Sequence, residues 1–409
     1  MKIVALGGCG EMGRRAARIV AKLPQVSAIV IADLDEKSAK NLAKQIGPVA
    51  SGVGVDVSDS ASLRRVLKDA DIVTNTVGPF YKYGAKVLSA AIDTKTHYFD
   101  INDDWEPTLE MLEYDEAARK ADVTAVVGMG GSPGMSNMLA LAAMRELDSV
   151  HTLYSCFHWD GTDIDPSDFD RESDFVARVN AACLHGIQQM TGTVKVRQGG
   201  KFVDIPAWTR IDFDDLGIGA TWGRVLGHPE PITFAKNFPE IQESACLTMV
   251  RKEDDEACLS LIRGVQSGAL TQEQAAALLE KNLVERSPPD ISVPGDPKQN
   301  LPPMIVAFAK GKKDGQDLSV AFRMNALPGP GMGNLTGIPM SVGVSLLLEG
   351  KITRRGAFAP EAGIAPRDFF DSLCSRLVVD DGQGGAQAAW TQRSYKGYDD
   401  LIIIDRKRA

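Results

Sequence analysis

Long apolar runs are missing from this 409-residue chain. Spanning a bilayer takes about 18 or more consecutive apolar residues, and no stretch reaches that, so no transmembrane helix is expected. A basic amphipathic helix that would lie on a membrane surface is lacking too. Positive charge is also in short supply: 45 Lys and Arg stand against 54 Asp and Glu, a net charge of −9. That balance argues against a nucleic acid or an anionic membrane as partner. The cysteines Cys9, Cys156, Cys183, Cys246, Cys258 and Cys374 form no CxxC or other metal-ligand spacing. With no HxxxH, HxH or acidic loop either, no metal is expected. The thiols read as scattered and reduced, as in a cytoplasmic protein. A first strand starting at Lys2 leaves no room for a signal peptide. No internal repeat is present.

What the chain does contain is informative from its first residues. Lys2 to Leu6 is a short apolar strand. It breaks into Gly8-x-Gly10-x-x-Gly13 and then becomes a helix expected over Arg14–Leu23. A second apolar run, Ala28 to Asp33, ends on an acid 20 residues past Gly13. Strand, glycine turn, helix and acid together form a dinucleotide-binding fingerprint. In this reading Gly8 permits the turn and Gly10 lets backbone approach a pyrophosphate. Gly13 allows the helix to pack closely, and Glu11 and Met12 sit at the helix start. The helix N-terminus offers N–H groups and partial positive charge to phosphate. Asp33 would accept a ribose 2′-OH and repel a 2′-phosphate. Leu34 adds no counter-charge, and Lys37 sits a turn further along its helix, so NAD is expected over NADP. Cys9 reads as a small residue tolerated within the loop.

The fold class expected is α/β. Residues 1–130 alternate strand and helix and should form a Rossmann-type, doubly wound parallel sheet of six strands, ending with His97–Asp100 and Thr124–Val127. Helices are expected over Lys37–Ile46, Ser62–Lys68, Gly84–Ala91 and Thr108–Ala121. Residues 131–330 lose that rhythm and read as a second α+β domain with a mixed or antiparallel sheet. It includes a strand at Val150–Trp159, a hairpin at Val194–Arg197 and Phe202–Ile205, an amphipathic helix at Leu270–Asn282, and strands Met304–Lys310 and Leu318–Asn325 joined at Asp314-Gly-Gln316. Arg286 to Pro303 is a Pro-rich loop. Residues 331–378 carry a helix, Gly337–Leu348, apolar nearly all round and therefore buried, returning to the nucleotide domain. The tail, 379–409, has a strand-like Leu401–Ile404 and Trp390, which suggest packing.

Ligands of open α/β sheets bind beyond the carboxyl ends of the strands. That rule selects the first glycine loop and three more. Asp56, after the third strand, either approaches the adenine or holds its own turn. After the fourth strand, the backbone of Thr76, Val77, Gly78 and Pro79 should pass under the nicotinamide ribose. Phe80 and Tyr81 there either wall the nicotinamide or substrate or are core aromatics at a turn. After the sixth strand, Gly128 to Asn137 is a second glycine-rich turn that opens a helix at Met138–Arg145; Gly130 and Gly131 are candidates to hold an anion such as a substrate carboxylate. Asp100 ends the fifth strand and either meets a substrate ammonium or braces a loop.

Several separated motifs resemble the saccharopine dehydrogenase family in its broad sense, which includes saccharopine reductases and the lysine and carboxynorspermidine dehydrogenases. They are VALGGCGEMG (4–13), NTVGPFYKYG (75–84), THYFDIND (96–103), GMGGSPGMSN (128–137), GHPEPIT (227–233) and TGIPMSVGVSLLLEGKITRRGAFAPE (336–361). The resemblance implies a nicotinamide-dependent dehydrogenase acting on CH–NH or CH–NH2 donors of amino acids or related amines. Hydride leaves the carbon bearing the amine, and the imine hydrolyses, or the reverse occurs. By motif position, Gly130, Gly131 and Asp115 correspond to substrate contacts. Arg178 and Asn180 lie near a family arginine–asparagine pair, offset by one residue. His228 and Glu230 belong to a segment that borders the cleft in similar proteins, or form a turn held by Pro229 and Pro231. For proton transfer the candidates are His158, Asp100 and His228, with no decisive acid–base pair. Two other readings stay open: an enoyl-type reductase sharing this front end, and a non-enzymatic dinucleotide-sensing protein. The partner expected is a small amine or amino acid, and a homodimer is expected from the resemblance.

Overall fold

In the computed structural model, which describes residues 1–158, 181–285, 302–324, 328, 331–375 and 398–408, the chain divides into two compact units. One comprises Met1–Met138 and Leu327–Leu401, the other Leu139–Ala326 and Ile402–Ala409. The division between the units after Met138 falls inside a helix. Arg178, Asn180, Trp159, Trp390 and most of the Pro-rich stretch lie outside the described residues.

The first unit begins with β1 (Lys2–Leu6), α1 (Glu11–Val20), β2 (Ala28–Asp33), α2 (Glu36–Ile46), β3 (Ala50–Gly54), α3 (Ser60–Leu67), β4 (Ile72–Asn75) and α4 (Phe80–Asp93). It continues with β5 (His97–Asp100), α5 (Trp105–Leu112), α6 (Asp115–Lys120), β6 (Thr124–Val126) and α7 (Met135–Met144). The helix expected over Thr108–Ala121 is thus two helices, interrupted at Glu113 and Tyr114. Acids start the helices where the pattern expects them. Asp35 accepts hydrogen bonds from the Lys37 and Ser38 N–H groups, and Asp59 accepts one from Ala61, satisfying donors that a helix start leaves open.

The second unit contains β7 (Ser149–His158), α8 (Ala181–Met190), β8 (Thr193–Gln198), β9 (Lys201–Pro206), β10 (Arg210–Asp212), β11 (Trp222–Val225), α9 (Glu230–Asn237) and β12 (Glu243–Met249). Then come α10 (Lys252–Gln266), α11 (Gln272–Glu285), β13 (Ile305–Lys313) and β14 (Gln316–Met324). The chain returns to the first unit with α12 (Gly331–Leu348), β15 (Gly356–Phe358), α13 (Pro366–Cys374) and α14 (Tyr398–Leu401), and ends in the second with β16 (Ile402–Arg408).

The first sheet has seven parallel strands in the order β15-β6-β5-β4-β1-β2-β3. From β6 to β3 this is the doubly wound Rossmann order. The central strands are apolar runs because helices cover both faces; Ile3, Val4, Leu6, Ile72 and Val73 are fully buried. The seventh strand, β15, was not expected. Three residues are too few to show a period, and β15 exists because β6 offers a parallel edge. α12 is longer than expected and packs on α1. A Cβ on Gly337 would lie 2.6 Å from the Met12 carbonyl and one on Gly333 3.1 Å from Glu11, so glycine permits the contact. Met340, Val342, Val344 and Leu346 of α12 are fully buried.

The second sheet has nine strands. Its main path is β10-β11-β12-β7-β13-β14-β16, with the β8–β9 hairpin joined through β12. It is mixed: β12 and β7 run parallel, and the other pairs are antiparallel. The β13–β14 turn falls on Asp314 and Gly315, with φ of 51° and 76°. Positive φ at both positions suits a two-residue hairpin, and an Asp-Gly pair is the usual way to meet it.

Candidate functional site

The loop between β1 and α1 is shaped by what its glycines lack. Gly7, not Gly8, takes the left-handed conformation, with φ of 69°. Gly8 is instead pinned by crowding, since a Cβ there would lie 2.9 Å from the Ala5 carbonyl and 3.0 Å from Ile31. A Cβ on Gly13 would meet the Gly7 carbonyl and sit 2.6 Å from Thr76 Oγ1. Helix and loop therefore touch backbone to backbone at Gly13. Gly10 is the N-cap and brings no side chain over the first turn of α1, which leaves that helix end fit to receive a phosphate. Glu11 and Met12 follow, half-buried, with the Glu11 side chain and Met12 carbonyl against α12.

Two neighbouring strands complete this edge. Asp33 ends β2, and its Oδ2 accepts a hydrogen bond from Cys9 N at 3.1 Å. Leu34 next to it is exposed. Burial and then the Asp33 carboxylate push the Cys9 thiol up to about 12, which makes it inert as a nucleophile. After β4, Thr76 Oγ1 donates toward the Leu6 and Gly7 carbonyls, at 3.0 and 2.9 Å, and so braces the glycine loop from behind. Val77 is half-buried, Gly78 and Pro79 are exposed, and a Cβ on Gly78 would meet nothing within 4 Å. The exposed and half-exposed backbone of Gly10–Met12, Asp33 and Val77–Pro79 lines the carboxyl ends of β1, β2 and β4. A dinucleotide fits that strip: glycine-shaped backbone for the pyrophosphate, an acid for a ribose.

The neighbouring ends of β4, β5 and β6 hold a buried relay. Asn75 Nδ2 donates to Tyr98 Oη at 3.1 Å, and Tyr98 donates to Asp100 Oδ2 at 2.7 Å. Asp100 Oδ1 accepts from Gly128 N at 2.6 Å and Asn102 N at 3.1 Å. Asn75, Tyr98, Asp100 and Asn102 are all fully buried. Burial raises the Asp100 carboxyl to about 6, against the pull of its donors Gly128, Tyr98 and Asn102. Burial, then Asp100, holds the Tyr98 phenol well above its ordinary value. The structure therefore corrects the catalytic assignment of Asp100: the carboxylate is sealed in and braces the loops after β5 and β6.

The second glycine turn is corrected for a similar reason. Gly130 N donates to the Pro133 carbonyl, Met135 N to Gly130, and Ser136 N to Gly131. Gly134 N donates to Asn137 Oδ1, and Asn137 Nδ2 reaches Glu361 Oε2 at 2.8 Å. Gly130 and Gly131 are buried against Thr336 and Leu335 of α12. The N–H groups of Gly130, Gly134, Met135 and Ser136 are spent within the loop, and those of Gly128 and Met129 on Asp100, which leaves few to hold a substrate carboxylate.

The remaining first-unit candidates separate. Phe80 is buried beside Gly84 as a core aromatic, whereas Tyr81 is exposed. Asp56 accepts a hydrogen bond from Ser58 N at 2.8 Å; hydrogen bonding by Ser58 lowers its pKa, as in a residue holding its own turn. Asp115 pairs with Arg119 at 2.8 Å and crowds Gly356 at the start of β15. That is the amino edge of a parallel sheet, opposite the ligand edge, and it corrects the assignment of Asp115 to the substrate.

In the second unit, His158 Nδ1 lies 2.7 Å from the Met249 carbonyl, and the His158 backbone N–H donates to the Met304 carbonyl. The ring is buried, which corrects its assignment as a general base in favour of a tie between strand ends. His228 is buried too. Its ring centroid is 5.3 Å from Phe157, and its Nδ1 is 3.6 Å from Glu230 Oε2. The carboxylate of Glu230 is fully buried beside Cys246. His228, a candidate for proton transfer, thus sits in the interior beside Glu230 and Cys246.

Residues 3–126 match the model of the saccharopine dehydrogenase NADP-binding domain. That part of the first unit is similar to the nucleotide-binding domain of this family. A saccharopine dehydrogenase-like oxidoreductase of Mus musculus is 36% identical over 128 residues, 30% of this chain and 29% of the relative. A trans-acting enoyl reductase of Mycobacterium leprae is 25% identical over 145 residues, 34% and 35% of the two chains. These matches span about a third of the curated relatives' length. The fold as a whole resembles apo saccharopine dehydrogenase (L-Glu forming) of Saccharomyces cerevisiae. The TM-score is 0.60 with 15% identity, over 100% of this chain and 99% of the other. The saccharopine dehydrogenase fold thus extends through both units.

Sequence reasoning overlooked Asn75, Tyr98 and Asn102. Each lies in a motif already singled out, but only strand adjacency makes them one relay. Cys246, a lone cysteine, carries no spacing signal, and 16 residues separate it from Glu230.

Proposed function

We propose that this protein is a nicotinamide-dependent oxidoreductase acting on the C–N bond of an amino acid or related amine. The carrying observation is the open backbone strip along β1, β2 and β4, with Gly13 seated on Thr76 and Asp33 at the end of β2. A bound nicotinamide dinucleotide supplies the hydride acceptor or donor. The chain's part is to hold and aim it. Gly10 and the start of α1 would face the pyrophosphate, Asp33 a ribose, and Val77 to Pro79 the second ribose. Thr76 keeps the first loop in place from behind, and the Asn75–Tyr98–Asp100 relay keeps the loops after β4, β5 and β6 in register. The C–N choice is supported by the full-length likeness to a saccharopine dehydrogenase. NAD is favoured over NADP because Asp33, Asp35 and Glu36 cluster after β2, where a 2′-phosphate would add negative charge. The family name of the matched domain points the other way, so both cofactors belong in the assay.

The deciding experiment measures dinucleotide binding and turnover with the full chain. Amines including lysine, saccharopine, other amino acids, opines and polyamines are offered at alkaline pH with NAD or NADP. Reduction of NAD by one amine class supports the proposal. Activity only on an enoyl thioester with reduced cofactor would replace it by the reading suggested by the mycobacterial relative. Failure to bind either dinucleotide would overturn both.

A further inference from the structure

The core of the second unit contains a polar patch where an apolar one is expected. β12 is buried along nearly its whole length, yet Ser244, Cys246 and Thr248 alternate along it and so share one face. Ser155 of β7 stands opposite Cys246 in the register. All four are at most 1% exposed. A strand covered on both sides ordinarily reads as a continuous apolar run. The Ser244 and Thr248 hydroxyls have no hydrogen-bond partner among the described residues. α9 packs against this strand and begins with Glu230, and His228 lies two residues before it. The donor atoms of His228, Glu230 and Cys246 all lie within 4.8 Å of one another.

We propose that His228, Glu230 and Cys246 are the protein ligands of a structural divalent metal ion of the zinc class. A tetrahedral ion with bonds of about 2.0 to 2.3 Å spaces its ligand atoms roughly 3.3 to 3.8 Å apart. Nδ1 of His228 is 3.6 Å from Glu230 Oε2, within that spacing, and Sγ of Cys246 is 4.0 Å from the other carboxylate oxygen, Oε1, slightly beyond it. The donor set of imidazole, carboxylate and thiolate suits a borderline-soft cation. Thiolate and carboxylate together balance a divalent charge, which removes the cost of burying a carboxylate in an apolar core. Without an ion, Cys246 Sγ would donate to Glu230 Oε1 and His228 would pair with Oε2; the cobalt titration below separates that hydrogen-bonded network from a metal site. Ser155 stands opposite Cys246 in the sheet and interacts with its sulfur. The turn is preorganised: Pro229 and Pro231 flank Glu230, and Ile232 and Thr233 N–H groups both bond the Pro229 carbonyl. With every ligand buried, the site is closed, as structural rather than catalytic zinc sites are.

The test titrates the reduced, chelator-stripped full chain with Co2+ and Zn2+. One equivalent of Co2+ should give a thiolate-to-cobalt charge-transfer band that Zn2+ abolishes. Cys246→Ser should lose the band and bind Zn2+ at least about a hundredfold more weakly, since even partners behind the ligands are worth 10–100-fold. Cys374→Ser, in the other unit, should change neither. Glu230→Gln keeps the shape and should retain the band while weakening Zn2+ binding at least about tenfold. Should Cys246→Ser fail to fold, the wild-type titration and Glu230→Gln decide. No charge-transfer band in the wild-type chain, a band that survives Cys246→Ser, or unchanged Zn2+ affinity in Glu230→Gln would each overturn the assignment.

Discussion

Replacing Asp100 by asparagine separates a bracing carboxylate from a catalytic one. In the folded chain the Asp100 carboxyl titrates at about 6, raised from 3.8 mainly by burial. Between those values the folded state holds a proton that the unfolded state has released. Stability therefore rises as pH falls through 6 and levels off below 3.8; above 6 the buried charge is a standing cost. A gap of roughly two units is worth about 3 kcal/mol at about 1.36 kcal/mol per unit. The substituted asparagine would still accept from Gly128 and Asn102 through its carbonyl. Its amide would meet the Tyr98 oxygen, and the phenol hydrogen would be left with Met111 Sδ, 4.0 Å away. Leaving that donor poorly satisfied costs about 1–3 kcal/mol, close to what removing the charge returns. Near pH 7.5 the two proteins should therefore be similar in stability, while only wild type gains as pH falls. Asp100→Ala, which strands all three donors, should be destabilised by several times about 1–3 kcal/mol. Hydrogen exchange of the β5 and β6 amides, corrected for intrinsic rates, reads the first unit separately. Protection in wild type should climb by up to about a hundredfold from pH 7.5 towards pH 4, and Asp100→Asn should stay flat. Equal pH dependence in the two proteins would refute the buried-charge account. Lost turnover in Asp100→Asn with unchanged stability and KM would restore a catalytic role.

Gly13→Ala puts a Cβ onto the Gly7 carbonyl and Thr76, both held by the loop itself, so dinucleotide affinity should drop by more than tenfold in a binding titration while the second unit is undisturbed. Thr76→Val removes both braces on the loop and should lower first-unit stability by about 1–2 kcal/mol in denaturant melts. Cys9, with its thiol near 12, should resist iodoacetamide at pH 8 in mass spectrometry, and Asp33→Ala should speed its labelling. In the second unit, Arg224 and Asp255 form a two-bond ion pair, at 2.8 and 2.6 Å, which also takes the Trp208 Nε1 hydrogen. Arg224→Ala should cost about 3–5 kcal/mol, read as a lower thermal midpoint, and a midpoint within a degree of wild type would count against it.

The nucleotide domain was legible because its signals are local. Alternating apolar runs and capped helices give parallel strands, and a glycine between strand and helix is read within a few residues. The hairpin at Asp314 and Gly315 needed only its two turn residues. What failed were judgements about exposure. Asp100, Gly130, Phe80 and His158 all follow or end a strand, and side-chain chemistry alone does not reveal which side is sealed. α12 seals Gly130 and Gly131, yet it lies some two hundred residues away in sequence.

Composition, period and spacing by themselves determined a doubly wound parallel sheet with a dinucleotide-type glycine loop and a second domain of different build. Those properties follow from backbone hydrogen bonding and apolar burial, which act over a few residues at a time. Only the tertiary structure decided that β15 completes the first sheet, that Asn75, Tyr98 and Asp100 form one relay, and that His228, Glu230 and Cys246 converge. Each of these is a meeting of segments distant in sequence, fixed by strand register and helix packing, and no local pattern records it.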